Sequence, residues 1–281
     1  MTGATSGIGQ ATALELARRG ATVGLLCRDA EKGEHTRASI RAATSNDALH
    51  LFRADLSSQA QIRRVADEIL SRFEKLHVLV NNAGVVNVGY SETEDGIETV
   101  IAVNHLAYFL LTSLLLDRLR ASAPARIVNV ASDAHRFVRG IDFDDLGHRE
   151  RYRTMRVYGH SKLANVLFTR ELARRLEGSG VTANSVHPGG VASGLGGNNG
   201  TWAKAVMKFV GLFMKSPEQG AATSLYVATA PDLEGVSGRY YASCKEKTPS
   251  SAARDDAAAA RLWQVSQEMT GLASSATAAG S

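Results

Sequence analysis

Met1-Thr2-Gly3-Ala4-Thr5-Ser6-Gly7-Ile8-Gly9-Gln10 opens the chain, a glycine-rich turn that runs directly into a helical pattern. Glycine lets a backbone take positive φ and approach a ligand closely, and the amides and positive dipole end of the following helix attract a pyrophosphate. The turn therefore reads as a phosphate cradle. Ile8, Ala11, Leu14, Leu16 and Ala17 give an apolar stripe for a helix over Ile8 to Arg19, which Gly20 stops. Such a cradle needs a strand feeding its first glycine, yet only Met1 and Thr2 precede it. A strand at that place is central in a doubly wound sheet. A buried Val, Leu or Ile is worth about 1.5–3 kcal/mol, so three or four missing ones approach the ~5–15 kcal/mol stability of a domain. The expectation is a first strand largely missing from this chain, with a short apolar strand upstream, either alone or behind a membrane anchor.

Outward from the cradle, short apolar runs alternate with helical stretches. Strands are expected at Val23 to Cys27, Leu49 to Arg53, His77 to Val80, Arg126 to Val130 and Val181 to Val186. Helices are expected at Glu31 to Ala43, Gln59 to Phe73, Thr93 to Leu119 and Tyr152 to Leu176. Strands apolar on both faces in βαβ alternation imply an α/β fold, a single Rossmann-type doubly wound parallel sheet with helices on both faces. Ligands of such sheets bind at the carboxyl ends of the strands. Polar or glycine residues stand there each time: Arg28, Asp55-Leu56, Asn82-Ala83-Gly84, Ser132 and Pro188-Gly189.

At 281 residues the chain reads as one domain over 1–281, with no linker dividing it. A formal charge of +4 with both signs interspersed gives no footprint for nucleic acid. Two cysteines, Cys27 and Cys244, without a Cys-x-x-Cys pair suit a reducing, cytoplasmic compartment. The histidines show no paired ligand spacing, so no metal is expected. Val100 to Leu116 is apolar but holds Asn104, His105, Thr112 and Ser113, and falls short of the ~20 residues of a membrane span. It reads as a buried helix.

Tyr158-Gly159-His160-Ser161-Lys162 places a phenol and an ammonium four residues apart on one helix face. A phenol with its ordinary value near ~10 is a poor proton donor or acceptor at neutral pH, and a nearby cation lowers that value. Tyr158 is thus a candidate general acid/base. Ser132, just past a strand, can hydrogen-bond a carbonyl oxygen whose charge grows during reaction. Asn104, polar inside an apolar helix, needs buried partners, or else lies on an exposed face.

Thr2-Gly3-Ala4-Thr5-Ser6-Gly7-Ile8-Gly9, Asn81-Asn82-Ala83-Gly84, Asn104, Ser132, Tyr158-x-x-x-Lys162 and Pro188-Gly189 together resemble the short-chain dehydrogenase/reductase family over nearly the whole chain. Val103 to Leu106, Asn129 to His135, His160 to Phe168 and Arg261 to Ser266 resemble its retinol dehydrogenase group. Ala131 departs from a second serine often seen there. The resemblance implies that Tyr158 is the catalytic acid/base and that Ser132 polarises the carbonyl. Lys162 would bind the nicotinamide ribose and lower the tyrosine's pKa, and Asn104 would support a proton-relay water. It assigns the cofactor to Gly3, Thr5, Ser6, Gly7, Ile8 and Gly9, with Asp55 and Leu56 beside the adenine and Asn82, Ala83 and Gly84 along the adenosine ribose. Pro188, Gly189, Val191 and Ser193 would meet the nicotinamide end, together with Tyr158 and Lys162. Members often dimerise through the helices holding Asn104 and Tyr158, which favours a homodimer.

An acid near the end of the second strand would select NAD and an arginine NADP. Cys27 stands where the acid would be and Arg28 follows, so NADP(H) is expected over NAD(H). Asp29 reads as the start of the next helix. Residues 190–216 form the expected substrate lid region: the apolar stretch 201–214 reads as a helix over a lipophilic pocket, with a core helix or peripheral membrane contact as alternatives. Residues 271–281 read as a frayed tail. The expected reaction is hydride transfer between NADP(H) and a lipophilic carbonyl or alcohol, retinoid-like or another aldehyde or ketone. The competing readings are reduction of small non-retinoid carbonyls and a non-catalytic NADPH-sensing module.

Overall fold

The strands form where the apolar runs lie. A computed structural model describes residues 1–190 and 216–272. In chain order the elements are α1 (Gly7–Arg18), β1 (Val23–Cys27), α2 (Ala30–Thr44), β2 (Leu49–Arg53), α3 (Gln59–Arg72) and β3 (Val78–Asn81). Next come α4 (Thr99–Ala121), β4 (Ala125–Val130), α5 (Thr154–Arg175) and β5 (Val181–His187). The chain continues with α6 (Pro217–Thr229), β6 (Tyr240–Ala242), β7 (Lys245–Glu246) and α7 (Asp256–Met269). Side-chain caps fix several starts: Asp29 accepts from the Lys32 amide, Ser58 from Gln61, and Ser216 with Gln219 closes a capping box.

β1 and β2 pair in parallel, as do β3, β4, β5 and β6 in that order, with β7 antiparallel at the edge. Among the described residues, Met1, Thr2 and Gly3 join the two groups by backbone hydrogen bonds. Thr2 bridges Leu26, its amide donating to the Val80 carbonyl at 3.0 Å, while the Leu26 amide donates to Met1 at 2.9 Å and Gly3 to Leu26 at 3.0 Å. The expected central strand is therefore present as a two-residue stub. Apolar side chains of α3, α4 and α5 cover one face of the sheet, around Ile62, Val65, Tyr108, Phe109 and Phe168. On the other face α1 and α2 contribute Ala13, Ala17 and Ile40, and α6 meets α1 through Ala221 and Leu225. This is the doubly wound arrangement that the alternation predicts.

One expectation is corrected here. The helix expected from Thr93 begins at Thr99, because the Glu98 carboxylate accepts from the Ile101 amide and caps it, while Thr93 to Ile97 closes a turn. Helix α7 packs on α4 and α5, the helices through which the resemblance suggests a homodimer. His105 Nε2 lies 2.8 Å from Ser266 Oγ, and Trp263 packs edge-on to Phe109 with ring centres 5.0 Å apart and stacks on Phe168 at 5.9 Å. Among the described residues α4 alone is long and apolar enough to cross a membrane, and it is largely buried in the core. That agrees with its reading as a core helix.

Candidate active site

At the carboxyl ends of the parallel strands lies a cleft of about 310 Å³. The glycine turn, Arg28, Asp55-Leu56, Asn82 to Gly84, Ser132, Tyr158, Lys162 and Pro188-Gly189 all line it. Strand topology gathers the loop residues, each following a different strand at the same edge, and helix α5 adds Tyr158 and Lys162.

The glycines are required sterically. Gly3 has φ +65°, and a Cβ on it would sit 2.9 Å from the Ala83 Cα; a Cβ on Gly9 would collide with the Gly3 carbonyl oxygen. The turn thereby lies flush against Asn82-Ala83, and Thr2 fastens it there. Its Oγ1 accepts from the Asn82 and Ala83 amides at 2.9 and 3.0 Å, and Asn82 Nδ2 donates to the Thr2 carbonyl at 3.0 Å. Ser6, at the N-cap of α1, makes no side-chain cap bond, and Ser6, Gly7 and Ile8 face the cleft. A glycine-rich turn ending at a helix N-terminus fits a pyrophosphate.

At the end of β1 the Cys27 thiol is buried against the Asp29 carbonyl at 3.3 Å, and burial pushes its pKa up. Asp29 caps α2 as the sequence predicts. Arg28 is the exposed group at this position, its Nη1 4.0 Å from Asp55 Oδ2. The Asp55 carboxylate also accepts from the amide and hydroxyl of Ser57, at 2.9 and 2.7 Å.

Ser132 caps a short 3-10 turn, Asp133–Phe137, accepting from the Ala134 amide at 3.1 Å. Burial raises the Tyr158 phenol's pKa, and the Ser132 side chain beside it opposes the rise. Lys162 Nζ donates to the Val130 carbonyl at 3.0 Å and lies 5.6 Å from the centre of the Tyr158 ring. Burial lowers the ammonium to about 7. In this structure Lys162 is tied to a backbone carbonyl, and desolvation governs the phenol.

Asn104 is fully buried, which removes the exposed-face alternative. It lies in a π-helical turn, Ala102–Leu106, inside α4. Its Oδ1 accepts from the Val85 amide at 2.7 Å, and its Nδ2 donates to the Val85 carbonyl and Ser161 Oγ, both at 3.0 Å. Ser161 Oγ in turn donates to the Tyr158 carbonyl at 2.8 Å. Single π-turns inside α-helices are frequent at functional sites. Val191, Ser193 and the stretch 201–214 lie outside the described residues.

Sequence reasoning missed the network beneath the site. Asn81 and Asn129 face each other in the β3–β4 register and hydrogen-bond at 2.9 Å; Asn81 reaches Thr112 and Asn129 reaches Thr169, each at 2.9 Å. Asn165 Nδ2 donates to the same Val130 carbonyl as Lys162, at 3.2 Å. The available signal was the matched asparagine near the end of two otherwise apolar strands. Thr2 and Ser161, which hold the cradle and the tyrosine turn, gave no signal of their own.

The family model for short chain dehydrogenases matches residues 1–204. Retinol dehydrogenase 12 of Mus musculus is 51% identical over 272 residues, spanning 97% of this chain and 85% of that protein. Retinol dehydrogenase 13 of Homo sapiens is 48% identical over 279 residues, spanning 97% and 84%. Among solved structures, an uncharacterized protein from Mycobacterium Paratuberculosis aligns with TM-score 0.77 and 35% identity over 96% of this chain and 91% of that one. A short chain dehydrogenase from Burkholderia cenocepacia J2315 in complex with NADP aligns with TM-score 0.68 and 26% identity, over 90% and 96%. The matches span nearly the whole chain, in sequence and in fold alike: it belongs to the short-chain dehydrogenase/reductase family, in its retinol dehydrogenase-like branch.

Proposed function

We propose that this oxidoreductase moves a hydride between NADP(H) and a lipophilic carbonyl or alcohol. The observation that carries the reading is the convergence of the glycine turn, Arg28, Ser132, Tyr158 and Lys162 on one cleft. A bound nicotinamide supplies or accepts the hydride. The chain's own residues do the rest. The Gly3 to Gly9 turn and the α1 N-terminus hold the pyrophosphate, and Asp55, Leu56 and Asn82 to Gly84 border the adenosine. Arg28, exposed and with no carboxylate at the Cys27 position, takes the 2′-phosphate through charge-assisted hydrogen bonds.

Ser132 Oγ, which lines the same cleft as Tyr158, polarises the substrate oxygen as negative charge grows on it. Tyr158, kept protonated at neutral pH by its burial, gives its hydroxyl proton to that oxygen in reduction and takes it back in oxidation. Lys162 Nζ bonds the nicotinamide ribose and fixes the ring relative to Tyr158. Asn104 clamps the Val85 segment to the Ser161–Tyr158 turn, holding the proton donor in register with the cleft floor.

The apolar composition of 201–214 and the retinol dehydrogenase relatives support a lipophilic substrate over a small polar one. Reduction of small non-retinoid carbonyls is the competing enzyme reading. The test is loss of NADPH absorbance against all-trans-retinal, medium-chain aldehydes and small ketones. Turnover strongest with the long-chain aldehydes supports the proposal. A preference for small ketones would replace its substrate half, and no turnover with any carbonyl would favour a cofactor-sensing module.

A further inference from the structure

Lys162 carries a charge that little around it supports. The side chain is buried, and burial alone brings its ammonium down to about 7. Among the described residues its hydrogen bond goes to the Val130 carbonyl at 3.0 Å, and no acid acts on its charge. The titratable groups nearby are neutral at pH 7: burial raises the phenols of Tyr158 on its own helix and Tyr108 on α4, and lowers the His105 ring of α4 to about 4. A buried ammonium with no partner for its charge gives up its proton. The nicotinamide ribose would then lose its cationic contact.

Aromatic faces supply what is missing. Lys162 Nζ lies over the Tyr158 ring at 5.6 Å from its centre and over the Tyr108 ring at 5.9 Å, within the reach at which the negative face of a ring attracts a cation. Tyr108 is fully buried, and its hydroxyl donates to the Ala83 carbonyl at 2.7 Å. One turn earlier on the same face of α4, Asn104 bonds the amide and carbonyl of Val85. The helix thus grips the segment from Ala83 to Val85 at two points, and the Tyr108 ring is fixed between that segment and Lys162. The Val130 carbonyl is fixed as well. Asn165 Nδ2 donates to it at 3.2 Å, and since a carbonyl oxygen has two lone pairs, Asn165 leaves Lys162 one of them.

We propose that Tyr108 is a positioning residue of this reaction: its ring face holds the Lys162 ammonium at the cleft, while Asn165 fixes the carbonyl to which that ammonium is bonded. A ring face suits the task better than a carboxylate would. An acid beside Lys162 would keep it charged but pair with it, drawing the ammonium away from the ribose, whereas a ring attracts the cation and leaves its remaining N–H groups free to donate. The attraction is also larger in a desolvated site than at a surface. The inference rests on the proposed function, in which Lys162 bonds the nicotinamide ribose. Cofactor binding is measured without turnover, which keeps the two separable.

The experiment compares two replacements that keep the ring's shape. Tyr108→Phe removes the hydroxyl and keeps the negative face; Tyr108→pentafluorophenylalanine withdraws the charge from that face. NADPH affinity is read by fluorescence from about pH 6 to about pH 9, beside the affinity for adenosine 2′-monophosphate, a probe that reaches Arg28 but not Lys162. In the parent chain NADPH affinity should fall as pH rises above about 7, because the free lysine then lacks the proton that the ribose contact needs. Tyr108→Phe should keep the onset of that fall. The fluorinated ring should bring it at least about half a pH unit lower and weaken NADPH binding on the order of fivefold at about pH 8, with adenosine 2′-monophosphate bound as before. The same onset with both rings would overturn the proposal, as would an onset that moves equally far with Phe. Equal losses of NADPH and adenosine 2′-monophosphate would also overturn it, reducing Tyr108 to a packing residue. A parent chain without the fall would instead count against the place of Lys162 in the proposed function.

Discussion

Lys162 is the buried cation on which the site depends, and its surroundings give it a measurable signature. Its folded value of about 7 lies below the ordinary 10.5, so between those values the unfolded chain binds the extra proton. Stability therefore rises with pH across that window, by up to about 1.4 kcal/mol per pH unit. Lys162→Met should abolish the rise, as read by urea unfolding at pH 7 and 9; an equal rise in the variant would show that other groups produce it. Arg28 carries the cofactor preference. A charge-assisted bond contributes about 1.5–3 kcal/mol, so Arg28→Ala should weaken NADPH binding about tenfold or more and leave NADH nearly unchanged. Equal losses would show that Arg28 does not read the 2′-phosphate.

At the scale of elements, α7 covers α4 and α5 through a neutral His105. Burial lowers that ring to about 4, below its ordinary 6.5. The unfolded chain takes up the proton first, so the contribution is complete above about 6.5 and is lost as pH falls toward 4. Protonation should loosen α7, which Trp263 fluorescence in a Trp202→Phe background would report as a transition in that range. His105→Gln should remove it, and persistence of the transition in that variant would contradict the assignment. β1 and β2 were legible to the residue because apolar runs bounded by turn residues left little choice. β6 and β7 were not, being three and two residues long and too short to show alternation. α7 was obscured for a different reason. Its alanine run reads as low complexity, and only packing of Trp263 on Phe109 and Phe168 gives it a partner. The site was legible where chemistry needs a rare residue type, as at Tyr158 and Lys162. It was not where a common one acts through its backbone neighbours, as at Thr2.

For the molecule as a whole, Thr2 is the joint between the two strand groups and the anchor of the glycine turn. Thr2→Val keeps the shape but removes the acceptor for two amides, those of Asn82 and Ala83. An unsatisfied buried amide costs about 1–3 kcal/mol, so a loss of at least about 2 kcal/mol is expected in urea unfolding, with weaker NADPH binding; an unchanged midpoint would mean that the joint is not stressed. The central claim is that one cleft, formed across that joint, holds the cofactor beside a proton-donating tyrosine. Comparison of Tyr158→Phe with the parent chain, NADPH affinity by fluorescence beside aldehyde reduction by absorbance, tests it most directly. The account predicts nearly unchanged NADPH affinity and a fall in turnover of at least about 10²-fold, the scale of general acid catalysis; a variant that keeps roughly half its activity would contradict it.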